Sequence, residues 1–224
     1  MKLLQEFGLN NEQIGMFEQY SDLLLEWNQK FNLTAITDKD EIEEKHFIDS
    51  ISLIRFYDLK NKTLLDVGSG AGFPGIPLAI IEPSLKVTLL EPTGKRVKFL
   101  LEVVKELRLD NVEVIQGRAE ELGTREKYDI VTARAVKELN ILLEVCFYLV
   151  KVGGTFIAYK SSGIDEEVKN AKNAFKSHNI ENYQKNEYLL PKSGNLRVFL
   201  GILKKNKTLN KYPRRYSEIV KHPL

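Results

Sequence analysis

The chain has one cysteine, Cys146, and three histidines in 224 residues. A lone thiol excludes an internal disulfide and fits a reducing, cytoplasmic setting. Cys146 falls on an apolar helical stripe, so it reads as buried packing and not as a nucleophile. The scattered His and Cys give no ligand spacing, so no metal is expected. Long apolar runs are missing too. The longest, Ile141 to Val150, carries Glu144 and falls well short of the ~18 residues of a membrane span. The start, Met1 to Leu4, turns polar at Gln5 and Glu6, which is unlike a secretory signal. Internal repeats, low-complexity stretches and long linkers are absent as well. What is present, 43% hydrophobic and 29% charged residues, suits a globular chain with one good-sized core.

The net charge of +2 hides an asymmetry. Residues 1–60 hold 6 Lys+Arg against 12 Asp+Glu, and residues 151–224 hold 15 against 6. A basic end suggests a phosphate-rich partner; a solvated basic tail explains the charge equally well.

The densest signal is Leu64-Leu65-Asp66-Val67-Gly68-Ser69-Gly70-Ala71-Gly72-Phe73-Pro74-Gly75, followed by the apolar run Ile76 to Ile81. This reads as a strand, a tight turn and a helix start, with Pro74 suited to the first helical turn. Glycine there permits positive φ and close approach of backbone to a nucleotide-like ligand. Glu91 closes a second strand about 20 residues on, where an acid that grips ribose hydroxyls is expected. Asp66 beside the loop would repel a pyrophosphate at the helix N-terminus and suit a cationic amino group instead. These residues favour S-adenosylmethionine; a dinucleotide, or a turn that only packs a helix on a sheet, are the other readings.

Residues 1 to about 57 read as helical. Phe17, Tyr20, Leu23, Leu24 and Trp27 share one face, a break falls at Asn28 to Thr37, and a second helical stretch runs from Asp40 to Tyr57. From Thr63 the pattern alternates. Strands are predicted at 63–67, 86–91, 112–116, 128–133 and 154–159, and helices at 75–81, 95–107, 138–150 and 165–178. A hairpin follows, Asn182 to Leu190 and Leu196 to Lys204. The expected fold is α/β: a Rossmann-like, mostly parallel seven-stranded sheet with helices on both faces and an antiparallel last strand. The expected organisation is a helical extension over 1–60 packed on the main domain, a cofactor-binding domain over 61–205 and a basic tail over 206–224.

Several separated motifs sharpen this. They are Trp27-Asn28 with Asn32-Leu33-Thr34-Ala35-Ile36, His46-Phe47-Ile48-Asp49-Ser50, the stretch from Asp66 to Ile80, Gly94-Lys95-Arg96, Thr132-Ala133-Arg134-Ala135-Val136, and Tyr212-Pro213-Arg214-Arg215. Over nearly the whole chain they resemble the glucose-inhibited division protein B family, the ribosomal RNA small subunit methyltransferase G family of class I S-adenosylmethionine-dependent methyltransferases. The resemblance implies methyl transfer to N7 of one guanine in the decoding region of 16S ribosomal RNA, with the RNA or the 30S particle as partner. It implies a cofactor site of Gly68 and Phe73 in the loop, Glu91 at the ribose, Ala119 and Glu120 beside the adenine, and Arg134 after the fourth strand. Asp66 and Gly70 join that set from the loop reading above. Two departures stand out: Lys160 is followed by Ser161 where the family often has glycine, and the tail from Ser217 has less glycine and proline than usual.

Guanine N7 carries a free lone pair, so its alkylation needs orientation and no general base. The sequence agrees: it has no Asn/Asp-Pro-Pro-Tyr/Phe run and no loop cysteine. No catalytic residue is assigned, Arg134 being the one candidate. Lys160, Arg197, Arg214 and Arg215 are the expected phosphate contacts. Trp27 reads as core packing, and His46 as a core or capping residue or one that shapes the site. A monomer is expected. Competing functions are a small-molecule methyltransferase and a non-catalytic RNA-binding assembly factor.

Overall fold

In the computed structural model, which describes residues 1–134 and 137–224, hydrophobic strands buried on both faces build the centre. Strands β1 (Thr63–Val67), β2 (Lys86–Glu91), β3 (Val112–Gln116), β4 (Tyr128–Arg134), β5 (Val150–Lys160), β6 (Gln184–Leu189) and β7 (Leu196–Leu203) form one sheet in the order β3-β2-β1-β4-β5-β7-β6. The first five run parallel, and β7 is antiparallel to both β5 and β6. In β1, Leu64 and Leu65 are both fully buried yet face different cores, the mark of a parallel strand covered on each side. Chain order reverses between β1 and β4, which opens a crevice at their carboxyl ends.

One face is covered by α1 (Lys2–Glu6), α2 (Asn11–Phe31) and a bent segment made of α3 (Lys39–Ile42), a π-helical stretch Glu43–Ile48, α4 (Asp49–Ile51) and a 3₁₀ turn Ser52–Arg55, together with α5 (Gly75–Ile81) and α6 (Gly94–Glu106). The stripe predicted on α2 is its packing face. Phe17, Tyr20 and Leu24 are fully buried in one cluster with Phe47 and Phe99. Asn10 and Gln13 cap the start of α2 reciprocally, satisfying donors the helix leaves free. The break expected from Asn28 begins later: α2 runs to Phe31, where Trp27 and Phe31 pack 5.5 Å apart, and Asn32 ends it in the left-handed conformation.

The other face carries α7 (Leu139–Cys146), α8 (Ile164–Asn170), α9 (Lys172–Ser177) and α10 (Tyr216–Lys221). Cys146 is buried there. The helix expected over 138–150 stops at Cys146, followed by a 3₁₀ turn, and the one expected over 165–178 breaks at Ala171. Strand β5 starts at Val150, ahead of the expected 154, because Gly153 and Gly154 lie inside it. A β-carbon at Gly154 would sit 2.6 Å from the Asp129 carbonyl oxygen, next to the register shift between β4 and β5; only glycine lets the strands close there.

Because β7 runs against its neighbours, the tail starts at the end of the sheet opposite the crevice. Arg125 holds it, donating to the carbonyls of Tyr212 (2.7 Å) and Thr208 (3.1 Å). Among the described residues, no helix is long and apolar enough to cross a membrane. Ala135 and Val136, part of one quoted motif, lie outside those residues.

Candidate active site

The loop after β1 is held by its glycines. Gly68, Gly70 and Gly72 have φ of 69°, 60° and 97°. The amides of Gly68 and Ser69 both donate to the Leu90 carbonyl, at 2.8 and 3.2 Å, tying the loop to the end of β2. The Tyr20 hydroxyl donates to the Ala71 carbonyl, so α2 pins the loop from outside. A β-carbon on Gly72 would sit 2.6 Å from the Tyr20 hydroxyl and 2.5 Å from Ile76 Cδ1. At Gly70 the nearest atom to a β-carbon, Gly68 O, is 3.9 Å away, so the loop is open on that side.

Glu91 is buried at the crevice floor. Its Oε2 accepts from the Gly70 amide (3.0 Å) and its Oε1 from the Thr93 amide (2.8 Å). Each oxygen keeps a second lone pair, so the carboxylate both fixes the loop and remains able to accept from hydroxyls. Across the crevice, Ala119 and Glu120 form a 3₁₀ turn after β3. Glu120 Oε1 and Ser69 Oγ are buried without a hydrogen-bond partner among the described residues. Buried polar atoms are rarely left so, and together with the open glycine loop and Glu91 they fit the polar adenosine of S-adenosylmethionine.

Asp66 requires a correction. The reach expected toward a ligand's ammonium is not what the fold makes of it. Asp66 is fully buried; its Oδ2 accepts from the Gly75 amide (3.0 Å) and its Oδ1 from the Thr132 hydroxyl (3.1 Å). The start of α5 lies directly behind the carboxylate, so it braces β1, β4 and that helix from within.

At the mouth, four side chains interlock. His46 stacks on Phe73 with ring centroids 4.4 Å apart, and the Arg134 guanidinium lies over the same ring at 4.9 Å. Arg134 donates to Asp49 Oδ2 (2.9 Å) and lies 3.2 Å from His46 Nδ1. Arginine only donates, so Nδ1 accepts, and the ring proton sits on Nε2, 2.9 Å from the Thr34 hydroxyl. Burial, then the Arg134 charge, push the His46 pKa down to about 3. His46 is a neutral spacer with both nitrogens committed. Asp49 also accepts from the Tyr188 hydroxyl (2.6 Å) and pairs with Arg197 Nε (3.1 Å). It is the hub that joins the helical segment to β4, β6 and β7. In the sequence Asp49 stands within the His46–Ser50 motif with no role of its own; its three-residue step from His46 is the one local signal.

Beside this stack opens a cavity of about 470 Å³, lined by Ile36, Lys45, His46, Asp49, Arg134, Tyr159, Lys160, Ser161, Glu167 and Arg197. Four basic side chains, Lys45, Arg134, Lys160 and Arg197, line it, and it adjoins the glycine-rich loop through the stack on Phe73; such a lining suits an anionic substrate.

The comparisons agree. The family model described as rRNA small subunit methyltransferase G matches residues 13–193. The chain belongs to the rRNA small subunit methyltransferase G family. Two relatives named ribosomal RNA small subunit methyltransferase G, from Acetivibrio thermocellus and Alkaliphilus metalliredigens, are 50% and 46% identical to it. Each alignment covers 97% of this chain, and 92% and 93% of the relative. Solved structures show the fold at low identity. M. jannaschii TYW2, crystallised with AdoMet, is 18% identical with a TM-score of 0.56 over 70% of this chain and 74% of that one. A putative S-adenosyl-L-methionine-dependent methyltransferase from Methanococcus maripaludis reaches 0.59 at 17% identity, over 76% and 92%.

The expected phosphate contacts of this methyltransferase G family member sort into different environments. Lys160 and Arg197 line the cavity, each already paired, with Glu167 at 2.5 Å and Asp49 at 3.1 Å. Arg214 does not fit the expectation: Nε and Nη2 grip the two oxygens of buried Glu144 at 2.7 and 2.6 Å. A buried carboxylate demands a partner, and the tail supplies it. Arg215 is exposed and has no ion pair among the described residues. Trp27 packs between Phe31 and Phe99.

Burial pushes the Asp66 pKa up to about 7, against the pull of its two hydrogen bonds. The unfolded chain releases that proton near pH 4, so between about pH 4 and 7 the folded state holds more protons. Stability tied to this group is therefore full below pH 4 and is lost as pH rises toward 7. Asp66→Asn, which keeps an acceptor for Gly75, should remove this slope. In thermal unfolding series, the native protein should lose on the order of a few kcal/mol relative to the variant over that range. Parallel curves would refute the assignment.

Proposed function

We propose that the enzyme transfers the methyl group of S-adenosylmethionine to N7 of one guanine in the decoding region of 16S ribosomal RNA, working as a cytoplasmic monomer on the RNA or the 30S particle. The family carries the coarser part, S-adenosylmethionine-dependent methylation of small-subunit ribosomal RNA. The choice of N7 rests on one observation: the imidazole at the mouth is neutral, with both nitrogens bonded to Arg134 and Thr34. An exocyclic amine or hydroxyl must shed a proton on methylation; His46 has no lone pair left to take it, and the cavity's two carboxylates, Asp49 and Glu167, are each already paired with a cation, Arg134 and Lys160. Guanine N7 sheds none.

The cofactor supplies an electrophilic methyl on a sulfonium. Glu91, the glycine loop and the Ala119–Glu120 turn bind and orient it, and the cavity holds the base in line. Alignment of two reactants can supply about 7–11 kcal/mol of barrier reduction, so the site works by positioning. Methylated guanine is cationic, and Arg134 is kept from repelling it by its pairing with Asp49.

With methyl-labelled S-adenosylmethionine and small-subunit RNA or 30S particles, digestion and mass spectrometry should place the label on N7-methylguanosine. Label on another atom, or only on a small metabolite, overturns the reading. RNA affinity should also fall steeply with salt, since lysine and arginine contacts release counterions.

A further inference from the structure

The cavity beside the Phe73–His46–Arg134 stack has two carboxylates in its lining, Asp49 and Glu167, and they differ. Asp49 has both oxygens engaged: Oδ2 by Arg134, Oδ1 by Tyr188 and Arg197. Glu167 is held by one oxygen only. Its Oε2 accepts from Lys160 Nζ (2.5 Å) and from the Leu139 amide (2.9 Å) at the start of α7. Its Oε1 carries no hydrogen bond among the described residues. The side chain is thus fixed in place and charge-balanced while half of its carboxylate stays available, at the rim of a space large enough for a base.

We propose that Glu167 Oε1 reads the Watson–Crick edge of the target guanine, accepting from the ring imino N–H and the exocyclic amino group. This deepens the proposed N7 reaction and rests on it. The chemistry is selective. An ionised carboxylate only accepts. Guanine presents two adjacent donors on that edge, on the side of the ring away from N7, whereas adenine and cytosine present a ring nitrogen acceptor there. A base lifted out of its stack is read in this way, along the edge its partner has released. With N7 directed at the Phe73 side, where His46 and Arg134 stack, the donors face away from it, toward the rest of the lining, of which Glu167 is the carboxylate with an unused oxygen. Lys160 is then a positioning residue: its ammonium, bonded to Oε2, holds Glu167 correctly turned.

The test uses 16S RNA ligated from two pieces, carrying guanosine or inosine at the position methylated by the native enzyme, reconstituted with small-subunit proteins. Inosine keeps N7 and the imino N–H but lacks the amino group. The native enzyme should prefer guanosine over inosine about 10- to 100-fold in kcat/KM, the worth of one hydrogen bond to a charged group. In Glu167→Gln that ratio should fall toward unity. Should this variant fail to fold, Glu167→Asp, which keeps the charge but retracts it, takes its place and should give an intermediate ratio. No preference in the native enzyme, or an equal drop on both RNAs with the ratio preserved, overturns the proposal. Mass spectrometry of the native product separates the two ideas: label away from N7 sinks the reaction assigned above, while label on N7 without inosine discrimination sinks only the role of Glu167.

Discussion

Gly72→Val is expected to abolish cofactor binding and to cost several kcal/mol of stability. Two effects add. The residue sits at φ +97°, where a β-branched side chain is a genuine outlier costing roughly 1–3 kcal/mol. Its β-carbon would also meet Ile76 Cδ1 at 2.5 Å and the Tyr20 hydroxyl at 2.6 Å, and such overpacking costs roughly another 1–3 kcal/mol. The relief open to the protein is to push the loop away from α2, which breaks the Tyr20 bond to Ala71 and shifts the Gly70 amide off Glu91. Gly123 is the control. It has φ +69° but nothing within 4 Å of a β-carbon, so Gly123→Ala should carry backbone strain alone and bind S-adenosylmethionine normally. Calorimetric titration of both variants decides; native-like affinity in Gly72→Val would refute the assignment of this loop.

Arg214→Met should lower stability by about 3–5 kcal/mol, because it leaves the fully buried Glu144 carboxylate without its counter-charge. For a chain of this size that is a fall in Tm of roughly 10 °C. RNA affinity measured below the transition should be unchanged. Arg215→Met is expected to do the reverse, leaving Tm alone and reducing the slope of log affinity against log salt by about one. If Arg214→Met instead weakens RNA binding at constant Tm, its ion pair with Glu144 is dispensable and the residue faces the nucleic acid.

These two arginines, adjacent in the chain, show where sequence reading stops. Charge composition marks both as candidates for phosphate. Which of them turns inward depends on Glu144, 70 residues earlier, and no local pattern announces that. The strands were legible for the opposite reason. Each of β1 and β2 is a short, mostly apolar and buried run bounded by polar turns, and its limits follow from that burial. The glycine loop and Glu91 were legible because conformational need and ligand contact coincide within one β-turn-helix unit. At Asp66 the position was readable and the direction was not, since its partners are an amide nine residues on and a hydroxyl from β4. The Asp49 hub was the least visible: Arg134 lies 85 residues away and Tyr188 139.

That hub, with Tyr20 and His46, means the leading helices are not an appendage to the catalytic sheet. They supply one wall of the pocket, while later strands and helices supply the others. Chimeras that exchange the first fifty-odd positions between relatives would therefore transplant half a pocket onto a foreign half. Productive hybrids must move Asp49 together with the arginines and tyrosine that answer it.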